Sequence, residues 1–227
     1  MSSFTNFDWN GERLQFFANG SLYLPEYKLL IISDLHLEKG AALDSTIPLP
    51  TFDTRDTLQR VSNALNQTAA TDCILLGDSF HTDEVAWRLP AAERKQLQEL
   101  SQTCNLHWVE GNHDPNLPYH IPGHHCAEMA VGPIEFRHMP LKNHNPQHEI
   151  IGHFHPKARL KLRAKYVTGK CFLLTESRLL MPAFGSYTGG LNIKESVISD
   201  VMPNAQQVFF CHQQKIYQLP FSAQNFT

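Results

Sequence analysis

Cysteine is scarce in this sequence, and its few cysteines are not spaced as structural sites space them. There are five, an odd number, with no Cys-x-x-Cys pair: Cys73, Cys104, Cys126, Cys171 and Cys211. This pattern argues against a disulfide framework and against a zinc ribbon. Reduced thiols fit the pattern best, so we expect a cytoplasmic protein.

Long apolar runs and an excess of charge are missing as well. No stretch approaches the roughly 18 apolar residues of a membrane span, and the opening residues, MSSFTNFDWNGERLQFF, lack a basic segment followed by an apolar one. We therefore expect neither a signal peptide nor a membrane partner. Because the net charge is −3, the protein as a whole does not attract polyanions, and any nucleic-acid surface must be local.

The composition that is present fits one folded unit with a metal site. The 227 residues are 42% hydrophobic and 18% charged. With no linker, repeat or low-complexity tract in between, they predict one domain over residues 1–227. Histidine, the commonest metal ligand among side chains, is present 13 times.

The first half alternates strand and helix patterns. Apolar runs predict strands at 28–33, 73–76 and 106–109, and apolar residues at helical spacing predict helices at 54–67 and 91–103. Such a βαβαβ order is typical of a parallel sheet. After residue 125 short β patterns dominate and no helix pattern returns. We therefore predict an α/β fold in which two sheets pack face to face with helices outside.

Residues of the kinds that bind metals follow five apolar runs, each of which predicts a strand. They are Asp34-Leu35-His36, Gly77-Asp78, Gly111-Asn112-His113-Asp114, His138 and Gly152-His153-Phe154-His155. Because the carboxyl ends of parallel strands meet at one edge of a sheet, these side chains are expected to converge. Two divalent cations about 3.5–4 Å apart, held by such ligands, neutralise a phosphate and activate a water for its hydrolysis.

Spacing assigns roles to several of these residues. Asp34 and His36 are two apart on the expected extended exit of a strand, so both should point to one side and share a metal. His153 and His155 are spaced in the same way. Asp78 is the candidate carboxylate that touches both metals, and the preceding glycine allows a tight turn into the site.

Two further ligands complete the predicted set. Asn112 offers a neutral carbonyl oxygen, and His138 completes the second metal site. His124 and His125 compete with His138 for that role. We favour His138 because it follows a strand pattern, whereas the other two follow a glycine turn.

The ordered pattern DxH, GD, GNHD, H and GHxH over residues 34–155 resembles the calcineurin-like metallophosphoesterase superfamily. The resemblance implies a four-layer α/β/β/α sandwich, with two mixed β-sheets flanked by helices. It implies one metal held by Asp34, His36, Asp78 and His155, and a second held by Asp78, Asn112, His138 and His153. It also implies that His113 protonates the leaving oxygen and that Asp114 orients or polarises His113.

A narrower resemblance extends outside these motifs. SDLHLEKG at 33–40, PTFDTRDTL at 50–58 and MPAFGSYTGGLN at 181–192 are similar to the bacterial ligase-associated DNA damage response endonuclease subfamily. This implies manganese-dependent phosphodiesterase activity on DNA, in repair beside a DNA ligase, a helicase and an exonuclease. Mixed nitrogen and oxygen ligands suit iron and zinc as well, and magnesium stays open.

Basic residues supply candidate substrate contacts. Lys157, Arg159, Lys161, Arg163 and Lys165 alternate with Ala and Leu, which predicts one strand over 157–165 with a basic face. That face leads away from the metal site and can follow a phosphate backbone, or it is a solvated sheet edge.

Four other residues are weighed in the same way. Lys39 is a second candidate phosphate contact, and His81 either approaches the site or caps a turn. Tyr187 and Phe184 either stack on bases or are buried in the core. For the glycines of 185–190, backbone turns and close packing are the alternative to a functional role.

Three functions remain in competition. The first is a dinuclear-metal phosphodiesterase on DNA, an endonuclease in repair. The second keeps the chemistry but acts on a nucleotide or another small substrate, as a phosphodiesterase or pyrophosphatase. The third is a non-catalytic interaction scaffold. It ranks lowest because scaffold relatives of this fold lose ligands, and here every expected position is filled.

Overall fold

The computed structural model describes residues 3–38, 52–142, 144, 146–162, 165–186, 188–222 and 226–227. These residues form two β-sheets and four α-helices. The helices are α1 (Phe52–Thr68), α2 (Asp83–Trp87), α3 (Ala91–Thr103) and α4 (Ser196–Val201). None of the helices in these ranges has the length and apolar character that crossing a membrane requires.

The first sheet contains the predicted parallel strands. Its strands follow one another in chain order: β1 (Phe4–Trp9), β2 (Glu12–Phe17), β3 (Leu22–Leu24), β4 (Leu29–Ile32), β5 (Asp72–Leu76), β6 (Asn105–Val109) and β7 (His124–Cys126). Strands β4 to β7 are parallel, and β1 to β4 pair antiparallel. The parallel strands therefore present their carboxyl ends at one edge.

The second sheet is mixed and has the order β15-β14-β12-β13-β10-β9-β8. Its strands are β8 (Met129–Val131), β9 (Ile134–Phe136), β10 (His148–Ile151), β12 (Lys165–Leu174), β13 (Arg178–Leu180), β14 (Gln207–His212) and β15 (Lys215–Pro220). Strand β10 is parallel to both β9 and β13. A further strand, β11 (Lys157–Leu162), lies off this path and pairs antiparallel with β12.

Alternating apolar residues place the two sheets between two outer layers. In β4, Leu30 and Ile32 pack against the apolar face of α1, while Leu29 and Ile31 face the second sheet. In β12, Leu173 faces away from the first sheet and packs in a cluster with residues of α4. Three buried clusters thus separate four layers, which confirms the predicted sandwich.

Three local predictions need correction. The basic segment 157–165 is not one strand, because Leu162 pairs with Lys165 across a hairpin and Lys165 belongs to β12. Strand β1 lies at the edge of the first sheet and was not predicted, since FTNFDW has few of the signals of a buried strand. The short helix α4 was also missed, because six residues are too few for a periodic pattern.

Candidate metal centre

The ligand-bearing loops of both sheets meet at one place. Two groups of side chains each have ligand atoms within 4.8 Å of one another. The first is Asp34, His36 and His155, and the second is Asp78, His138 and His153. Each group takes residues that follow strands of both sheets, so the centre lies where the two sheets face each other.

Nitrogen atoms in each group converge on a common point. The Nε2 atoms of His36 and His155 are 3.3 Å apart, and Nε2 of His155 is 2.9 Å from Oδ1 of Asp34. In the second group, Nε2 of His138 is 3.3 Å from Nδ1 of His153. Two atoms bound about 2.1 Å from one ion, at angles of about 90–109°, lie about 3.0–3.4 Å apart. The spacing therefore fits a cation in each group.

Asp78 lies between the two groups. Its Oδ2 is 3.2 Å from Nε2 of His138 in its own group and 4.0 Å from Nε2 of His36 in the other. Asn112 joins the second group, since its Oδ1 is 3.2 Å from Nε2 of His138. All seven residues expected to bind metal are thus brought together, and Asp78 is placed where a shared ligand would stand.

The spacing of these residues had suggested an extended backbone, but the backbone at them is not extended. Asp34, His36, Asp78, His153 and His155 all have positive φ, between 45° and 72°. Non-glycine residues rarely adopt this left-handed conformation, and each costs about 1–3 kcal/mol when strained. The same-face argument was therefore wrong in its geometry: left-handed turns, not extended strand exits, aim the paired side chains at the centre.

Hydrogen bonds between the loops hold these turns in place. The amide of His36 donates to the carbonyl of Asp78 (2.9 Å), and the amide of Gly152 donates to that of His138 (3.0 Å). Gly77 has φ +75°, and a Cβ there would lie 2.3 Å from Nδ1 of His138. Only glycine fits such a turn, as its position before Asp78 had predicted.

A model of calcineurin-like phosphoesterases matches residues 27–219. The chain belongs to the calcineurin-like phosphoesterase family. No curated protein sequence matches it. Among solved structures, nuclease MPE of Pseudomonas putida is 22% identical, with a TM-score of 0.74, and the alignment covers 95% of this chain and 100% of that one. Yfce, a phosphoesterase from E. coli, is 17% identical, with a TM-score of 0.42 and coverages of 86% and 99%.

Two buried carboxylates in this phosphoesterase centre favour their ionised form. Burial opposes ionisation of Asp34 and Asp78, but hydrogen bonds and charge from His155 and His138 respectively outweigh it, so both carboxyl pKa values are lowered. Burial would lower the pKa of His138, but its bond to Asp78 and the two carboxylates raise it. The group attracts positive charge, which is what a cation site requires.

His113 stands at the open side of the centre. Its amide donates to Oδ1 of Asp78 (2.9 Å), and its Nε2 lies 4.0 Å from Oδ2 of the same carboxylate. Its Nδ1 donates to the carbonyl of His81 (3.2 Å), which assigns the proton to Nδ1 in the neutral ring. The side chain is 41% exposed, so a substrate can reach it.

Asp114 does not orient the His113 ring directly, in contrast to the expectation. Its carboxylate accepts from the amides of Phe80 (2.9 Å) and Gly111 (3.1 Å), and so joins the two loops after β5 and β6. Burial and the charge of Asp78 raise its pKa to about 7. Asp114 therefore supports the loops that carry Asp78 and His113.

The remaining predicted residues are placed as follows. His81 lies in the site, with its ring stacked on that of His113 at 5.7 Å. Neither His124 nor His125 is part of the two groups, as both lie in β7. Phe184 is fully buried beneath Arg60, which excludes base stacking on it. Arg159 is exposed and lies over the ring of Tyr166.

Three candidates, Lys39, Arg163 and Tyr187, lie outside the described residues. Two other basic residues near the centre were missed: Arg60 and Lys170 line a cavity with His155. Arg60 sits in the pattern of an ordinary surface helix, so nothing local distinguishes it. A faint signal exists for Lys170, as a single charge before the apolar run CFLL of β12.

Proposed function

We propose that this chain is a phosphodiesterase that uses two divalent metal ions and cleaves DNA internally, as an endonuclease. The observation that carries the proposal is the pair of Asp/His groups with Asp78 between them. Asp34, His36, Asp78 and His155 would hold one ion, and Asp78, Asn112, His138 and His153 the other. When bound, the ions supply positive charge to the phosphate and lower the pKa of a coordinated water.

The side chains supply the proton for the leaving group. His113 faces the centre through Nε2, and its Nδ1 proton is held by the carbonyl of His81. In the protonated ring Nε2 carries the second proton, and it can pass this proton to the departing oxygen. His81 positions the ring through its carbonyl, and Asp114 holds the loop on which His113 lies.

DNA is the substrate that we favour, for two reasons. His113 is open to solvent, so a strand that is longer than the site can lie across it. The fold is shared over almost the whole chain with a protein described as a nuclease. Manganese as the metal, and action in DNA repair beside a ligase, a helicase and an exonuclease, belong to the same proposal through the subfamily motifs.

The test is the cleavage of supercoiled circular DNA by manganese-loaded protein, beside bis-p-nitrophenyl phosphate as a small diester. We expect wild-type protein to nick the circle and hydrolyse the small diester. His113→Ala should lower DNA cleavage by about 10²–10⁴-fold, as expected for loss of a general acid. It should affect the small diester far less, because p-nitrophenolate leaves without a proton.

His212→Ala is the matched control, because His212 ends β14 and belongs to neither group of candidate ligands, and this variant should cleave both substrates normally. Cleavage of the small diester with intact DNA would favour the small-substrate alternative. Equal losses on both substrates in His113→Ala would remove the general-acid role. No hydrolysis of either substrate under any metal would leave the scaffold alternative.

A further inference from the structure

A cationic cavity of about 380 Å³ adjoins the metal centre and shares His155 with it as a wall. Three basic side chains from separate elements line this cavity: Arg60 of α1, Lys157 of β11 and Lys170 of β12. The described residues of the glycine-rich segment are Gly185, Ser186 and Thr188–Gly190. Gly185, Ser186 and Thr188 of this segment close another side of the cavity. Apart from His155, none of these residues has a role in the function proposed above.

The ammonium groups of the two lysines are held by neutral backbone oxygens. Nζ of Lys170 donates to the carbonyls of Asn19 (2.5 Å) and Ala183 (3.5 Å), and Nζ of Lys157 donates to that of Thr188 (3.3 Å). Within the described part of the chain, neither lysine has an ion pair shorter than 4.0 Å. An ammonium has three N–H donors, so each lysine retains capacity for a ligand.

Arg60 is fixed in a similar way. Its two terminal nitrogens donate to Oγ of Ser186 (3.0 Å) and to the carbonyl of Phe184 (2.8 Å). Asp56, the carboxylate paired with it, is 4.0 Å away and accepts from Ser186. Among the described lining residues there is no carboxylate. Three positive charges therefore face a cavity that contains one partial counter-charge at its edge.

The like charges act on one another. The pKa of Lys170 is lowered to about 8, chiefly by burial; Cys211 opposes this shift, and the charges of Arg60 and Lys157 act in the same direction as burial. Charges of one sign at close range destabilise a fold unless an anion joins them. The cavity thus has the charge, the donors and the size of an anion site.

The glycine-rich segment places this cavity directly against the ligand loops. A Cβ at Gly185 would lie 2.2 Å from the carbonyl oxygen of Leu35, and one at Gly190 would lie 2.3 Å from that of His155. This close approach of the backbones sets the cavity beside the loop that carries Asp34 and His36 and beside the loop that carries His155. A phosphate held in it therefore lies next to a phosphate held at the metals.

We propose that this cavity, which we call the flanking-phosphate pocket, binds a second phosphate of the substrate, adjacent to the bond that is cleaved. The inference rests on the proposed phosphodiesterase function, because that function places the first phosphate at the metals. The second phosphate is either an internal phosphodiester of a DNA strand or a terminal phosphate of a small nucleotide.

The kinetic test uses two pairs of substrates that share one leaving group. They are the p-nitrophenyl ester of thymidine 5'-phosphate and the same ester with an added 3'-phosphate, together with the reversed pair in which the ester is 3' and the added phosphate 5'. In one orientation we expect wild-type kcat/KM to rise about tenfold with the added phosphate, the effect of one charge-assisted contact. Lys157→Gln and Arg60→Gln should each reduce that ratio several-fold, and Arg60→Lys should keep most of it.

Lys95→Gln is the charge-matched control, since Lys95 is exposed on α3 and is not among the residues that line the cavity, and it should keep the wild-type ratio. Melting temperatures identify any variant that is misfolded. Because Lys157 and Arg60 are changed independently, one misfolded variant still leaves the other to test the pocket. A wild-type ratio near one in both orientations, or equal losses on both members of a pair, would overturn the pocket.

A binding arm separates this inference from the proposed function. Manganese-loaded protein is titrated calorimetrically with thymidine 5'-phosphate and with thymidine 3',5'-bisphosphate, neither of which contains a diester. Tighter binding of the bisphosphate that is lost in Lys157→Gln and Arg60→Gln supports the pocket even if no diester is hydrolysed. Hydrolysis of diesters with no such difference sinks the pocket and leaves the function.

The source of the phosphate follows from one further ligand. The trinucleotide d(TpTpT) without terminal phosphates carries only internal diesters. If the variants weaken its binding more than that of the bisphosphate, the pocket holds a DNA backbone. The opposite order assigns it to a terminal phosphate of a small nucleotide.

Discussion

Asp78 stands where the two groups of candidate ligands meet, and its oxygens have three neighbours. Oδ1 accepts from the amide of His113, while Oδ2 faces the imidazoles of His138 and His36. Asp78→Asn keeps the shape and removes the charge. A neutral amide cannot serve two cations, so we expect activity to fall more than about 100-fold and bound metal to drop from two ions towards one or none.

Metal content by elemental analysis, measured beside diester hydrolysis, checks this expectation. Asp72→Asn is the matched control, because Asp72 lies at the opposite end of the same strand and pairs with His107. It should retain full metal content. Two ions in Asp78→Asn would contradict the shared-ligand role, even if activity were lost.

At the scale of single residues, the sequence predicted which residues meet at the centre, but it did not predict their backbone conformation. The spacing of Asp34 and His36 correctly indicated neighbours in space, although it assumed an extended backbone. Their φ values of 55° and 46° reflect the bonds between the loops, which form only in the folded chain. Asp114 shows the same limit, since its partners Phe80 and Gly111 are set by tertiary contact.

At the scale of elements, the glycine-rich segment offers a sharp comparison. Gly185 and Gly189 lie four residues apart, but a Cβ at Gly185 would be 2.2 Å from the carbonyl oxygen of Leu35, while one at Gly189 would meet nothing within 4 Å. Leu35 lies between Asp34 and His36. Gly185→Ala should therefore displace their loop, destabilise the protein by about 1–3 kcal/mol and reduce activity.

Thermal unfolding and diester hydrolysis measure both effects. Gly189→Ala makes the same chemical change in the same segment and should alter neither by a measurable amount. If the two variants behave alike, the close approach at Leu35 is not what the segment provides.

The elements themselves were predictable where their patterns are long. Helix α1 spans Phe52–Thr68 against a prediction of 54–67, and α3 matches its predicted bounds, because both have an apolar stripe at helical spacing. The prediction of one strand over 157–165 was wrong because the alternating pattern continues through a hairpin. Alternation predicts which residues face the core, and Ala158 and Leu160 are indeed buried, but it does not predict where a chain turns.

At the scale of the whole molecule, sites built from distant segments escape sequence reasoning. Arg60, Lys157 and Lys170 come from three elements and line one cavity only in the folded chain, where Arg60 donates to Ser186 and to the carbonyl of Phe184. Motifs indicated the two groups of candidate ligands because DxH and GHxH each place two ligands two residues apart. No such local signal exists for the flanking-phosphate pocket, and only the fold reveals it.

The two groups of candidate ligands also connect the two sheets. Asp34 and His36 follow β4 of the first sheet, whereas His155 follows β10 of the second, and the other group is divided in the same way. An ion in either group therefore joins the halves of the sandwich and binds only the folded state. At an ion concentration about 100 times its Kd, each site stabilises the fold by about 2.7 kcal/mol.

For a chain of this size, that gain raises the melting temperature by about 5–10 °C per site. Calorimetry of chelator-treated protein, followed by titration with manganese, measures the shift, with sodium chloride at equal ionic strength as the control for screening. The shift should grow with the logarithm of manganese concentration, and it should shrink in Asp78→Asn while persisting in Asp72→Asn. A melting temperature that manganese leaves unchanged would mean that the converging histidines and carboxylates do not bind it, whatever activity is observed.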